Sequence, residues 1–382
     1  MRSAINKIKK YTIMNLKKTL IILIILLVLS AVALIFYNFF FQEKIEPNSG
    51  EVADEPGFYS NDRIKTISQE PVLGVSVDKK KVKYYLAGNG NVFESDFDGT
   101  NQTRLSSNVL TGLLEILWSP DKNKIIAIST ENELIKKYFY DYSTKTAIPL
   151  SGKMRWITWA PDRNKIAYQY YNAQNEDNNI SIANPDGSEW ASIFQTRMKN
   201  LIVEWPAKNK ISIRTMPSGL AKSVIYIISL PSNDLEKINE TYGMSALWSP
   251  LGNKILFSET NNEGKNLKLK TMDLEKQTIS ELGFVTLPEK CVWSQDNRSI
   301  FCAIPKKIPS SAVLPDDYYK NKVLFSDDIW RINLDTEEAV KIFEGDEDFQ
   351  KSYDAQKMIL SPQEDYLFFI NKKNGLLYSL EL

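Results

Sequence analysis

One phrase returns seven times along this chain and constrains its fold more than any other feature: an apolar strand, a short polar turn and a second apolar strand. It is clearest as WSPDKNKIIAI from Trp118, and recurs as WAPDRNKIAYQ from Trp159, WPAKNKISI from Trp205, WSPLGNKILFS from Trp248 and WSQDNRSIFCA from Trp293. VSVDKKKVKYY from Val75 and LSPQEDYLFFI from Leu360 are weaker copies. Units of this kind cannot bury their apolar faces alone and must stack on one another. The copies are spaced by roughly 40 to 46 residues, the span of one four-stranded propeller blade, except for a last interval about twenty residues longer. The expected fold is therefore all-β, a seven-bladed β-propeller with one insertion, six or eight blades being the alternatives.

The phrase also gives the plan of a blade. Residues ahead of each anchor run apolar, as in 113–118 and 245–248, which suits an innermost strand A packed on both faces. In the turn that follows, Pro120, Pro161 and Pro250 preset φ, Asp121 and Asp162 can cap, and Asn123, Asn164 and Asn253 are expected to take left-handed φ. Blade four reaches strand B one residue sooner, so its turn is expected to be short. Polar-ended strands C begin near Asn91, Ile180, Leu267 and Ile329, and short strands D include Ile193-Phe194 and 340–343. After Leu360 there is room only for strands A to C. The segment 63–68 stands where a strand D would, and is expected to pair with the C-terminal strand and close the ring.

Composition removes whole classes of chemistry. The chain has no histidine, so a Ser/His/Asp triad, a Cys/His dyad and any His-ligated metal site are excluded. Its two cysteines cannot build a four-thiolate site, and no cofactor is expected. Lys plus Arg and Asp plus Glu number 47 each, so no overall field favours nucleic acid.

Residues 19–41, TLIILIILLVLSAVALIFYNFFF, are apolar enough and long enough to cross a hydrocarbon core of roughly 30 Å as one transmembrane α-helix. The tail 1–18 ahead of it carries only basic charge, whereas Glu43, Glu46, Glu51, Asp54 and Glu55 follow it. That asymmetry orients the N-terminus to the cytoplasm and the rest outward, as a single-pass membrane protein with an extracytoplasmic propeller. Ala31-Val32-Ala33 offers a signal-peptidase pattern, but cleavage there would leave the apolar LIFYNFFF on the mature chain, which favours an uncleaved anchor. Residues 42–61 read as a flexible linker, and 62–382 as the propeller.

The W-S/A-P-D-x-N-K-I phrase resembles the repeat of TolB-like propellers, relatives of the WD-repeat class, over about 63–382. The resemblance implies a propeller fold and is non-specific for activity. TolB has six blades and an additional N-terminal domain, and this chain departs on both counts. Similar repeats occur in prolyl oligopeptidase-like enzymes, where the chemistry belongs to a hydrolase domain that this chain lacks.

Candidate sites fall on departures from the repeat. The anchor tryptophans share one register and so read as packing between blades. Asp96 to Asn101 looks like a calcium loop, but no bidentate Glu follows, and a turn between strands C and D explains it. The insertion, at about 305–327 in blade six, carries Asp316, Asp317, Tyr318, Tyr319 and Lys320. Antiparallel strands put this loop between strands B and C on the face opposite the SPD turns. The same face holds Tyr170, Tyr171 and Asn172 of blade three and the loop 259–266 of blade five. Aromatic, amide and acidic groups on such loops suit a protein or glycan ligand.

The register that sets Ser294 opposite Ser299 also sets Cys291 opposite Cys302, close enough for a disulfide in an oxidising compartment or for two buried thiols. Asn101, Asn179, Asn239 and Asn297 head N-x-S/T sequons. The leading reading is a non-enzymatic, membrane-anchored binding module for a protein or envelope polymer. The alternative is a carbohydrate-active hydrolase or lyase using carboxylates at the channel mouth.

Overall fold

The computed structural model of the protein describes residues 63–106 and 110–382. The basic tail 1–18, the apolar span 19–41 and the linker 42–61 lie outside the described residues. Among the described residues no helix is long and apolar enough to cross a membrane.

Seven four-stranded antiparallel sheets follow one another, each a blade, as the repeat requires. The innermost strands A are Val72–Val77, Leu113–Trp118, Met154–Trp159, Ile202–Ala207, Ala246–Trp248, Cys291–Trp293 and Ala355–Leu360. Strands A of blades one to four pack on one another in succession, as do those of blades six and seven. The last blade takes its outer strand from the other end of the described chain: Ile64–Thr66 pairs antiparallel with Leu377–Glu381, Ile64 opposite Leu380. The expected closure is thus formed.

The core is a set of layers between blades. Seven apolar clusters each draw on two adjacent blades, so every junction carries one. Alternation along strand B divides its side chains between two junctions: Ile255 and Phe257 pack towards blade four, and Leu256 towards blade six. A blade therefore has no core of its own, which is why the unit must repeat.

The anchor tryptophans belong to these junctions. The indole N–H of Trp118 donates to the Gly74 carbonyl at 2.7 Å, Trp159 to Leu117 at 3.0 Å and Trp293 to Leu247 at 3.3 Å, each acceptor lying on strand A of the preceding blade. The indole N–H groups of Trp205 and Trp248 are buried without partners. These two junctions flank blade four, where the turn is short: Ala207 pairs with Lys210 and only Lys208 and Asn209 lie between. Trp205 therefore stands two residues inside the strand end that Trp159 occupies in blade three.

Two details of the turns differ from expectation. The left-handed position falls one residue before the asparagine, at Lys122 (φ 58°) in blade two and Gly252 (φ 64°) in blade five. Ser119 explains this: its N–H donates to the Lys124 carbonyl at 2.9 Å and its Oγ accepts from the Lys124 N–H at 3.0 Å, closing the loop so that the middle residue must reverse. In blade one, Val77 rather than Val75 pairs with Val82. A tight hairpin across Lys79 and Lys80, closed by Asp78 N–H to the Lys81 carbonyl, replaces the longer turn.

Candidate functional site

Between strand B (Ser299–Pro305) and strand C (Asp327–Asn333) of blade six the chain leaves the repeat and folds on itself. Ala312, Leu314, Tyr318 and Phe325 bury against Leu267 and Leu287 in a small core separate from the seven junctions. One helical turn, Asp316–Tyr319, carries the residues singled out from the sequence.

That turn is seated on blades four and five. The Asp316 carboxylate accepts from Ser218 Oγ at 3.1 Å and from the Gly219 N–H at 2.7 Å, and the Leu314 N–H donates to the Gly264 carbonyl at 2.9 Å. Glycine is needed at both seats: a Cβ on Gly219 would lie 2.2 Å from the Leu314 carbonyl oxygen, and one on Gly264, at φ 70°, 2.7 Å from Val313 Cγ1. On its other side the turn meets blade seven. The Tyr318 hydroxyl donates to Asp354 Oδ1 at 3.1 Å, and Lys372 Nζ lies 3.4 Å from the Tyr318 ring centroid. The insertion thus reaches from blade four to blade seven.

Beneath it is a buried ionic cluster. Lys290 Nζ lies 2.8 Å from Asp327 Oδ2, 2.5 Å from Asp354 Oδ1 and 3.0 Å from the Ala355 carbonyl, with the rings of Tyr318 and Phe325 beside it. All three charged side chains are fully buried. Burial opposes the Lys290 charge, yet Asp327 and Asp354 together hold its pKa above the ordinary value. Burial pushes the Asp327 carboxyl up, against the pull of Lys290 and with help from Asp354. Removing one partner from such a set strands a charge and costs about 3–5 kcal/mol. Nearby, desolvation of the phenol and the Glu289 carboxylate raise Tyr319 well above its usual range, although the residue as a whole is 41% exposed. Glu289 also accepts from Ser245 Oγ at 2.6 Å, and Arg214 pairs with Glu204 at 3.0 Å.

Most of the insertion's candidate binding residues are therefore committed inside the protein. Asp316 holds the seat. Asp317 accepts from the Val313 N–H at 2.8 Å and pairs with Lys322, while Tyr318 is buried. Only Tyr319, 41% exposed, and Lys320 present surface. The sequence could mark the insertion as foreign to the repeat, but not that its acids would be consumed in docking.

Tyr170, Tyr171 and Asn172 lie elsewhere on this face and share no hydrogen bond, ion pair or ring contact with 316–320 among the described residues. Asn172 is buried and its side-chain oxygen accepts from the Gln174 N–H. Tyr171 is half-buried under two cations: the Arg155 guanidinium lies 4.6 Å from its ring centroid and Lys199 Nζ 5.3 Å. Arg155 donates to Asn200 Oδ1 at 3.0 Å. Burial, then the Arg155 charge, lowers the pKa of the neighbouring Lys137. Beside Arg155 on the same strand, Trp156 is 41% exposed and sits in the bulge of strand A at φ 51°, a conformation costly for a bulky residue.

These cations were not picked out from the sequence. Lys153 lies at the connection between strand D of blade two and strand A of blade three, Arg155 at the start of that strand A, and Lys199 at the following connection. Comparing those connections blade by blade would have brought them together.

Cys291 and Cys302 are register partners and are joined in a disulfide within the junction of blades five and six. The 96–101 segment is a turn, with Asp98 Oδ1 accepting from the Thr100 N–H and hydroxyl. Among the described residues no group of three or more Cys, Asp or Glu is placed to hold a metal ion. Of the four sequon asparagines, Asn179 and Asn297 are buried and closed to a glycan.

No protein-family model matches the sequence, and no curated protein matches it. Solved structures match its fold. An oligogalacturonate lyase from Vibrio parahaemolyticus superposes with a TM-score of 0.59 at 12% identity, over 85% of this chain and 95% of the lyase. The β-propeller domain of the trilobed protease from Pyrococcus furiosus superposes with a TM-score of 0.52 at 14% identity, over 81% and 96%. TolB from Acinetobacter baumannii gives a TM-score of 0.45 at 15% identity over 71% and 69%, too loose a superposition to carry an argument. At these identities the likeness is one of fold.

Proposed function

We propose that this propeller is a binding module whose ligand, a protein or an envelope polymer, docks on the face formed by the loops between strands B and C and between strands D and A. The supporting observation is the aromatic and cationic sector around Tyr171, where Arg155 and Lys199 have no carboxylate partner within 4 Å, unlike Lys290 under the insertion. The insertion closes the sector over blades four to seven and leaves that over blades two and three for contact. Rigid strands carrying exposed loops suit this role.

The direct test is binding of full-length protein to immobilised envelope proteins and polymers. Tyr171→Ala is expected to weaken capture at least tenfold, and Leu251→Ala, in the turn of the opposite face, to leave it unchanged. Capture indifferent to Tyr171→Ala would refute the assignment of this face.

The rival reading is a carbohydrate-active enzyme, and the lyase-like fold together with the Glu289 and Tyr319 pair supports it. Cleavage of a glycan by the wild type, lost in Glu289→Gln, would establish that reading instead.

We further propose that residues 19–41 anchor the chain and hold the propeller outside the membrane. Sedimentation with membranes and digestion of 62–382 by external protease are expected. A soluble, protected chain would contradict the anchor.

A further inference from the structure

The sector around Tyr171 gathers Lys137, Lys153, Arg155 and Lys199 from blade two, blade three and the two connections that flank blade three. None of the four has a carboxylate within 4 Å among the described residues. Glu133 and Glu176, on neighbouring loops, form no ion pair with them. The hydrogen-bond partner of Arg155 is a neutral amide oxygen, and the Tyr171 ring beneath Arg155 and Lys199 is neutral too.

Blade six does the opposite with its cations: Lys290 has two acids, and Lys306 has three within 4 Å. Here two cations instead converge on one aromatic ring. Like charges brought together repel, and a ligand carrying the opposite sign removes that repulsion. Burial, and then the Arg155 charge, weigh against the charge on Lys137.

The second half of the site is aromatic. Trp156 stands in the bulge of strand A at φ 51°, as Gly74 and Lys357 do in blades one and seven, and its side chain is 41% exposed. Its neighbour on the strand is Arg155, and Tyr171 is partly exposed. Flat aromatic surface beside cations matches a molecule with apolar C–H faces and regularly spaced carboxylates. An Arg fork can take each carboxylate in two parallel hydrogen bonds.

We infer that this sector binds a carboxylate-bearing glycan, with Arg155 and Lys199 receiving the uronate groups and Trp156 and Tyr171 receiving the sugar faces. The inference rests on the proposed binding face and names its ligand class.

Calorimetric titration of full-length protein with a mannuronate hexamer, mannohexaose and hexaglutamate separates the possibilities. The mannuronate hexamer is expected to bind, more weakly as salt rises. The double variant Arg155→Gln, Lys199→Gln should lose at least tenfold in affinity and Trp156→Ala a comparable factor, while Lys320→Gln, on the insertion, should bind as wild type. Equal binding of mannohexaose, or tighter binding of hexaglutamate, with sensitivity to Tyr171→Ala retained, would overturn the uronate assignment and leave the face in place. Binding of the uronate unchanged in the double variant and in Tyr171→Ala would overturn both. Failure of all three probes to bind, in protein whose melting curve is that of the intact fold, would overturn the uronate assignment alone.

Discussion

Trp159 and Trp205 fill equivalent blade junctions and are both buried, yet the indole N–H of Trp159 is satisfied and that of Trp205 is not. Replacing Trp by Phe keeps a ring and removes the donor. Trp159→Phe should therefore cost about 1 kcal/mol more than Trp205→Phe, because it also orphans a strand carbonyl. Urea unfolding of the two variants measures the difference, and equal losses would remove the clasp from the account.

The turn aspartates have their own pH signature. Hydrogen bonds from Thr100 and Ser188 hold Asp98 and Asp186 below the usual carboxylate range. A depressed folded pKa contributes stability that is present above the unfolded value of about 3.9 and is lost as pH falls through the lower folded value. Unfolding free energy should decline below about pH 4, and less steeply in the double variant Asp98→Asn, Asp186→Asn. Asp327 acts in the opposite sense. Its raised pKa, about 6, means that its contribution is lost as pH rises from the unfolded value towards 6.

At the scale of elements, strands and their order were legible because the alternating pattern and the turn residues repeat together. The closure was legible too, from the missing outer strand of the last blade. Removing residues 375–382 deletes the strand Leu377–Glu381, which lies between Tyr366–Asn371 and Ile64–Thr66. The truncated chain should fail to fold cooperatively, and an unchanged melting temperature would contradict the closure. What the turns do in detail was less legible. Asn123 was the residue type for left-handed φ, but the hydrogen bonds of Ser119 place that conformation at Lys122.

The insertion shows the same limit. Its length and position were readable, but its seat on Gly219 and Gly264 depends on blades distant in sequence. Gly219→Val would force the Leu314 carbonyl away, and limited proteolysis should then cut within 305–327 faster than in the wild type. Equal rates would show that the seat does not hold the insertion.

For the whole molecule, regularity and function separate. Seven junction cores and a closed ring account for the repeat, and the repeat accounts for nearly all of the buried apolar residues. On the face that carries the insertion, Lys290 is paired with Asp327 and Asp354 beneath it, whereas Arg155 and Lys199 around Tyr171 have no acidic partner within 4 Å. Tyr170, Tyr171 and Asn172 marked the open sector in the sequence. Arg155 and Lys199 did not, because only the ring brings the two connections beside one aromatic side chain.

The most direct test of that division is photocrosslinking in cells, with a photoreactive residue at position 171 compared with one at position 251 on the opposite face. The account predicts adducts from position 171 that disappear when Arg155 and Lys199 are both changed to Gln, and none from position 251. Adducts from position 251 alone would contradict it.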